Sequence, residues 1–254
     1  MRRNRFFAAL RMTKGALRMT VGAIAGLVAL GSCSVKEDRS DCPCWLTVEA
    51  ESTATLTGWY GSQRIFDGHK GGFTDRMVPR GDVAIVSSRG EFTVAEGQQM
   101  DELFAELLHV NTDGEKAFAR VQLKKQFATV TLDFKDEEDG RTDYDIIVKG
   151  DIQGADSKTL DPKEGPFKCI PEAAPERGYQ FRVPRQKDNA LTAELWSEGA
   201  LVDTIPVGEL IAKARFDWKR ESLGDIHIMA DLPAKTFTIT VMEWEGPVTF
   251  EITI

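Results

Sequence analysis

Histidine, tyrosine and cysteine are scarce in this chain, with three, three and four copies among 254 residues. His69, His109 and His227 stand far apart, and the sequence contains no His-Glu-x-x-His motif and no close set of cysteine and histidine ligands. A glycine-rich phosphate loop and a Gly-x-Ser-x-Gly nucleophile elbow are missing too. The sequence therefore predicts neither an enzyme nor a metal or cofactor site.

A long apolar run is also absent. The stretch from Val21 to Leu30 covers about ten residues, half of what a bilayer-spanning helix needs. A cationic segment without acids precedes it, and it ends at Leu30-Gly31-Ser32-Cys33. This order is typical of a lipoprotein signal peptide with its lipobox. We expect residues 1–32 to be cleaved, Cys33 to carry acyl chains such as palmitate, and residues 33–44 to form the lipid anchor and tether.

Positive charge is in short supply once the signal peptide is gone. The chain has 32 Lys and Arg against 40 Asp and Glu, and cleavage removes six of the cations, which leaves a net charge of about −14. Nucleic acid and anionic lipid are therefore poor partners. The segment Ser34-Val35-Lys36-Glu37-Asp38 resembles a tag that exports lipoproteins to the outer face of the outer membrane, although a plain charged tether is an equal alternative.

Three cysteines remain besides Cys33. Cys42 and Cys44 lie in a Cys-Pro-Cys sequence, and Cys169 is distant. In an oxidising compartment one of the pair could form a disulfide with Cys169, which leaves the other free, but spacing does not decide the connectivity.

From Cys44 onward the apolar residues repeat with a period of two in short runs broken by Gly, Asp, Asn and Pro. This pattern is typical of antiparallel β-structure. Seven strands are predicted near 45–49, 55–60, 63–66, 82–88, 117–124, 127–134 and 143–149. Seven more are predicted near 167–171, 178–184, 190–196, 200–205, 225–230, 236–243 and 247–254.

The polar segment 154–166 separates the two predicted sets of strands and is rich in turn-forming residues. We therefore expect an all-β protein with two seven-stranded β-sandwiches, residues 45–155 and residues 156–254. Two short helices are predicted as well, from Asp101 to His109 and from Val207 to Ala214, because each places apolar residues on one stripe.

The last strand alternates without a break. Its apolar residues are Val248, Phe250, Ile252 and Ile254. It is either the final strand of its own sheet or a strand for pairing between subunits, in which main-chain bonds supply affinity and alternate side chains fill pockets. A different function, the binding of surface glycans, would use Trp59, Tyr60 or Trp244 as a stacking platform, although packing in the β-structure explains such residues at least as well.

Several segments taken together resemble one protein family, the minor-fimbria anchor lipoproteins of gut and oral Gram-negative anaerobes. The similar segments are Cys33 to Arg39 with Cys42-Pro43-Cys44, Leu123 to Ala128, Leu160-x-Pro162-x-x-Gly165, Val183 to Lys187, Pro206 to Glu209, Phe216-Asp217-Trp218, Asp225-Ile226 and the closing strand pair with Trp244.

The resemblance implies two transthyretin-like sandwiches and a lipidated cysteine at Cys33. It also implies a role at the outer membrane, where such a protein holds the base of a fimbrium and limits its length. Fimbrial stalk subunits are the implied partners, joined by strand exchange. Neither the stalk partner nor the donor of the exchanged strand is specified by the sequence.

Overall fold

The computed structural model describes residues 42–135, 137–243 and 246–253. These residues form sixteen strands and one short helix, so the predicted all-β class is confirmed. The predicted signal peptide, Cys33 and the predicted tether up to residue 41 lie outside the described residues. No helix of the described part is long and apolar enough to cross a membrane.

The first six strands build an N-terminal module. They are β1 (Cys44–Tyr60), β2 (Gln63–Val78), β3 (Asp82–Arg89), β4 (Phe104–Asn111), β5 (Lys116–Arg120) and β6 (Lys124–Lys125), in the order β2-β1-β3-β4-β6 with β5 added to β1.

The long β1–β2 hairpin takes part in both halves of the folded N-terminal sheet. A register shift between Ala50 and Thr55 divides β1, so that its first half pairs with β5 and its second half with β3. Leu46 from the first half and Leu56 from the second are both 0% exposed in one core. The sheet therefore folds over on itself around that core, because alternate residues of each half point inward.

The remaining ten strands build a C-terminal sandwich. They are β7 (Phe127–Phe134), β8 (Asp145–Ala155), β9 (Pro162–Cys169), β10 (Glu172–Ala173), β11 (Tyr179–Pro184), β12 (Thr192–Ser197), β13 (Ala200–Ile205), β14 (Asp225–Asp231), β15 (Thr236–Glu243) and β16 (Gly246–Thr253). One sheet has the order β10-β11-β7-β14-β15-β16 and the other β13-β12-β8-β9. Helix α1 (Val207–Lys213) is present where the sequence predicts it, and Leu210 and Ile211 pack in the sandwich core.

The predicted helix from Asp101 to His109 is wrong. Residues 104–111 form β4, which pairs along its length with β3 and places Leu108 opposite Ile85. The apolar residues of this segment suit a helical stripe by spacing alone. The ladder to β3 decides the structure because it satisfies the backbone hydrogen bonds of both strands.

The division of the chain also differs from the predicted one. β7 and β8, assigned by pattern to the first domain, pair with β11, β14 and β12 of the second sandwich. The polar segment expected to link two domains connects β8 to β9 within one sheet. The change from one core to the other thus falls near Gln126, and the strands divide into six and ten rather than seven and seven.

A small third core joins the two halves. Met100, Leu103 and Ala105 from the first half pack with Phe127 and Ala155 from the second. Main-chain hydrogen bonds cross the same junction, from the N–H of residue 100 to the oxygen of residue 182 at 3.0 Å and from the N–H of residue 94 to the oxygen of residue 153 at 2.7 Å.

Candidate functional site

The last strand forms one edge of the six-stranded sheet. β16 pairs with β15 through eight residue pairs, and its other edge pairs with no described strand. Val248, Phe250 and Ile252 lie opposite Val241, Ile239 and Phe237. Ile254, predicted to continue it, lies outside the described residues.

The apolar side chains of β16 contact the core of their own sandwich. Phe250 and Ile252 are half-buried against it, whereas Val248 is 45% exposed. An eight-pair ladder and these contacts hold β16 in its own sheet. The strand therefore presents a free edge and is not a detached segment.

Pro247 identifies the backbone groups that face outward from this edge. It lies opposite Met242, and it has no N–H with which to form a hydrogen-bonded antiparallel pair. Hydrogen-bonded and non-hydrogen-bonded pairs alternate along such a ladder. Thr249, Glu251 and Thr253 therefore direct their N–H and C=O groups away from β15, toward the free edge.

A second free edge belongs to the other sheet. β13 pairs only with β12 among the described strands, and Leu201 and Val202 on it are each 50% exposed. Asp203 accepts a hydrogen bond from Lys235 in the β14–β15 turn, which brings this edge close to the sheet that ends in β16. The same bond lowers the pKa of Asp203 below its ordinary value.

The opposite edge of the sandwich is covered by the N-terminal module. Ala155 donates its N–H to the oxygen of Phe92 at 2.8 Å, and Gly97 forms a bridge with Cys169. Gly154 forms a further bridge with Thr93. A free edge attracts strands from other chains. These contacts cover part of the β9 end of the four-stranded sheet, and its other end, β13, pairs with no further described strand.

Sequence reasoning missed one further open feature. After the turn at residues 112–115, β4 and β5 diverge and leave a groove of about 380 Å³ lined by residues 108–111 and 117–119. β5 pairs only with β1 among the described strands. The sequence analysis did not predict this groove, because it assigned residues 101–109 to a helix, and a helix has no strand edge beside which such a groove could form.

The three described cysteines, for which the sequence leaves a disulfide open, are all free in the structure. Cys44 lies in the N-terminal core and Cys169 in the sandwich core, and both are free thiols with 0% exposure. Cys42 is free and exposed. Burial raises the pKa of the Cys169 thiol to about 12 and raises that of Cys44 as well. Separate cores keep these two thiols apart, which sequence spacing does not reveal.

Two of the three aromatic residues predicted for a sugar platform, Trp59 and Tyr60, are among the described residues. The Trp59 ring carries two cations, with Arg64 at 4.8 Å and Lys158 at 5.3 Å from its centroid. These cations occupy the surface on which a sugar ring stacks. Tyr60 is 39% exposed at the end of β1, and Trp244 lies outside the described residues.

A different aromatic residue lines a cleft of about 990 Å³ between β4 and the segments that follow β11 and α1. Trp218 is half-buried there, edge-on to Phe216 with the ring centroids 4.6 Å apart. Arg185 donates hydrogen bonds to the main-chain oxygens of Trp218 and Arg220 and to the side-chain oxygen of Gln126. Burial lowers the pKa of Arg185.

Comparison with known proteins shows what the fold is similar to. No family model matches the sequence, and a search of curated proteins finds no match. Among solved structures, a candidate adhesin from Bacteroides ovatus superimposes with a TM-score of 0.52 at 10% identity, covering 83% of this chain and 96% of that one. A candidate adhesin from Bacteroides thetaiotaomicron VPI-5482 gives 0.50 at 12%, covering 83% and 99%.

The fimbrial anchor protein Mfa2 from Porphyromonas gingivalis also overlaps, with a TM-score of 0.48 at 12% identity, covering 80% of this chain and 98% of that one. The likeness to the two candidate adhesins shows a shared fold.

Proposed function

We propose that this chain is a subunit at the base of a surface fimbrium. In this proposal, acyl chains on Cys33 hold it in the outer membrane on the cell surface, and a strand of the neighbouring stalk subunit pairs with the free edge of β16. The protein then attaches the fimbrium to the cell and limits its length. No catalytic step is involved.

The free edge of β16 is the observation that carries this proposal. Its outward backbone groups at Thr249, Glu251 and Thr253 are suited to pair with one added strand, and Val248 leaves apolar surface beside them. We assign β16 the accepting role, because its ladder with β15 and the half-buried Phe250 keep it in its own sheet. The lipobox and the resemblance to fimbrial anchors support the membrane attachment.

The proposal is tested by isolating the tagged full-length protein from detergent-solubilised outer membranes of cells that express fimbriae. We expect unboiled samples to contain a ladder of high-mass species, and mass spectrometry to identify β-rich fimbrial subunits in it. Deletion of the gene should leave the subunits produced but shed into the medium. A lone band, together with fimbriae retained on the deleted cells, contradicts the proposal.

The cleft at Trp218 favours a second candidate function, the binding of a surface glycan. An aromatic ring beside fixed hydrogen-bonding groups is suited to a sugar ring, whose faces are apolar and whose rim is polar. A glycan array with the intact protein tests this function. Hits that disappear in Trp218→Ala but persist in Trp59→Ala support it, and the absence of hits rejects it.

A further inference from the structure

The N-terminal module exposes three large apolar side chains on one outward face, close to the start of the described chain. Trp45 is 46% exposed, Met77 64% and Phe118 58%. In the β1–β2 ladder Met77 lies directly opposite Trp45, and in the β1–β5 ladder Phe118 lies opposite Thr47, two residues further along β1. Successive residues of a strand point to opposite faces, so these side chains share one face. We name Trp45, Met77 and Phe118 the proximal face.

The neighbouring residues confirm that this face points away from the core. Cys44 and Leu46, on either side of Trp45, are both 0% exposed in the N-terminal core. Val78, next to Met77, is 2% exposed, and Ala119, next to Phe118, is 6% exposed. The proximal face is therefore an apolar surface on which the described residues place no covering element.

Two acidic side chains beside the proximal face have hydrogen-bond partners of their own. Asp75 accepts a hydrogen bond from the Thr47 hydroxyl at 2.6 Å, and Glu49 accepts one from Arg120 at 2.7 Å. Lys116 lies opposite Trp45 and has no carboxylate of the described residues within 4.0 Å. These two acids are thus held by partners, and the exposed Lys116 is the strand partner of Trp45.

The route by which the chain enters the fold runs past this face. Arg80 donates hydrogen bonds to the main-chain oxygen of Cys42 at 2.7 Å and to that of Asp113 at 2.8 Å, which fixes the first described residue to the module. Trp45 follows three residues later. Cys33 lies nine residues before Cys42, so even a fully extended tether spans only about 30 Å.

From these observations we propose that the proximal face rests on the outer-membrane surface and orients the anchored protein. The inference depends on the lipid attachment at Cys33 in the proposed function. A tether of this length keeps the bilayer at a high local concentration beside the point of chain entry. Trp and Phe are suited to the boundary between headgroups and acyl chains, and Lys116 can bury its methylene groups while its ammonium reaches the headgroups.

The contact is apolar in origin. The net charge of the mature chain is strongly negative, so long-range attraction to anionic lipid does not explain it. A stalk subunit is a less suitable occupant, because the short tether already holds this side of the module next to the bilayer. Orientation by the face would present the free strand edges in a constant direction to the next subunit.

Fluorescence quenching tests the proposal. The mature chain, residues 33–254 with Cys42→Ser, is coupled through Cys33 to a maleimide lipid in zwitterionic vesicles, with and without brominated acyl chains. The difference in fluorescence between wild type and Trp45→Phe is the emission of Trp45. We expect this part of the fluorescence to be quenched in the brominated vesicles. Equal Trp45 emission in both kinds of vesicle overturns the proposal.

Two sets of variants complete the design. Trp59→Phe is the matched control, because Trp59 lies at the other end of β1 under two cations, and its emission should not respond to bromine. The double variant Met77→Asp with Phe118→Asp should remove the quenching of Trp45. Because both positions are exposed, it should leave the melting temperature of the protein unchanged. Persistent quenching contradicts the proposal. Coupling in vitro makes this result independent of natural lipidation, which intact-mass analysis of the protein from native membranes measures separately.

Discussion

Phe250 of β16 lies directly opposite Ile239 of β15, and the two side chains differ in exposure. Ile239 is 0% exposed in the sandwich core, whereas Phe250 is only partly buried against it. Backbone pairing with β15 along one edge and packing of the Phe250 side chain against the core hold β16 in its own sheet. The other edge of β16, defined by the outward backbone groups on either side of Phe250, stays open to another chain.

The first prediction separates the two edges of β16. Glu251→Pro removes an N–H that points outward, so we expect the free energy of unfolding to change by less than about 1 kcal/mol while the high-mass fimbrial ladder is lost. Phe250→Pro removes an N–H that bonds to β15 and should cost about 1 to 3 kcal/mol. Urea denaturation measures the stability, and unboiled gels of outer-membrane extracts measure the ladder.

Glu251→Ala is the control for this pair, because it removes the same side chain and keeps the N–H. It should retain the ladder. Loss of the ladder in Glu251→Ala would instead assign the contact to the carboxylate, and an intact ladder in Glu251→Pro would exclude strand pairing at this edge.

The second prediction concerns the core beneath the edge. Ile239→Ala should destabilise the sandwich by about 2 to 5 kcal/mol, because it removes buried methyl groups and leaves a cavity. Val248→Ala, on the exposed part of β16, should change the stability by no more than about 0.5 kcal/mol. Equal effects in thermal or urea unfolding would show that the described burial of these two positions is wrong.

The third prediction concerns the thiols. Burial raises the pKa of Cys169 to about 12, so almost no thiolate exists at pH 8, and the thiolate is the reactive form. We expect iodoacetamide at pH 8 to alkylate Cys42 in the native protein and to leave Cys44 and Cys169 unmodified until a denaturant is added. Peptide mass spectrometry measures this pattern. A disulfide-linked peptide that contains Cys169 would contradict the structure.

The fourth prediction concerns pH. The hydrogen bond from Lys235 lowers the pKa of Asp203, so the carboxylate stabilises the fold at pH values above its unfolded pKa of about 3.9, and this contribution disappears as the pH falls through the lower folded value. Both side chains are partly exposed, so Asp203→Asn should cost at most about 1 kcal/mol at pH 7. The difference in melting temperature between wild type and variant should be smaller at pH 2.5 than at pH 7.

Local sequence patterns were sufficient where each strand is defined by its own alternation. The alternation of apolar and polar residues predicts β15 and β16 closely, and the helical stripe of apolar residues predicts α1. The local sequence of residues 101–109 is compatible with a helix and with a strand. Only its pairing with β3 shows that it is a strand.

The sequence by itself thus determined the all-β class and the alternation of the last strand, because these properties depend on neighbouring residues. Lipid attachment at Cys33 stays a prediction of the same local kind. Tertiary structure alone decided that β7 joins the second sandwich, where Val130 pairs in parallel with the distant Ile226. It also decided that Cys44 and Cys169 lie in separate cores and that Trp45, Met77 and Phe118 share one surface. The physical reason is that strand partners are chosen by long-range pairing and burial, for which the chain carries no local signal.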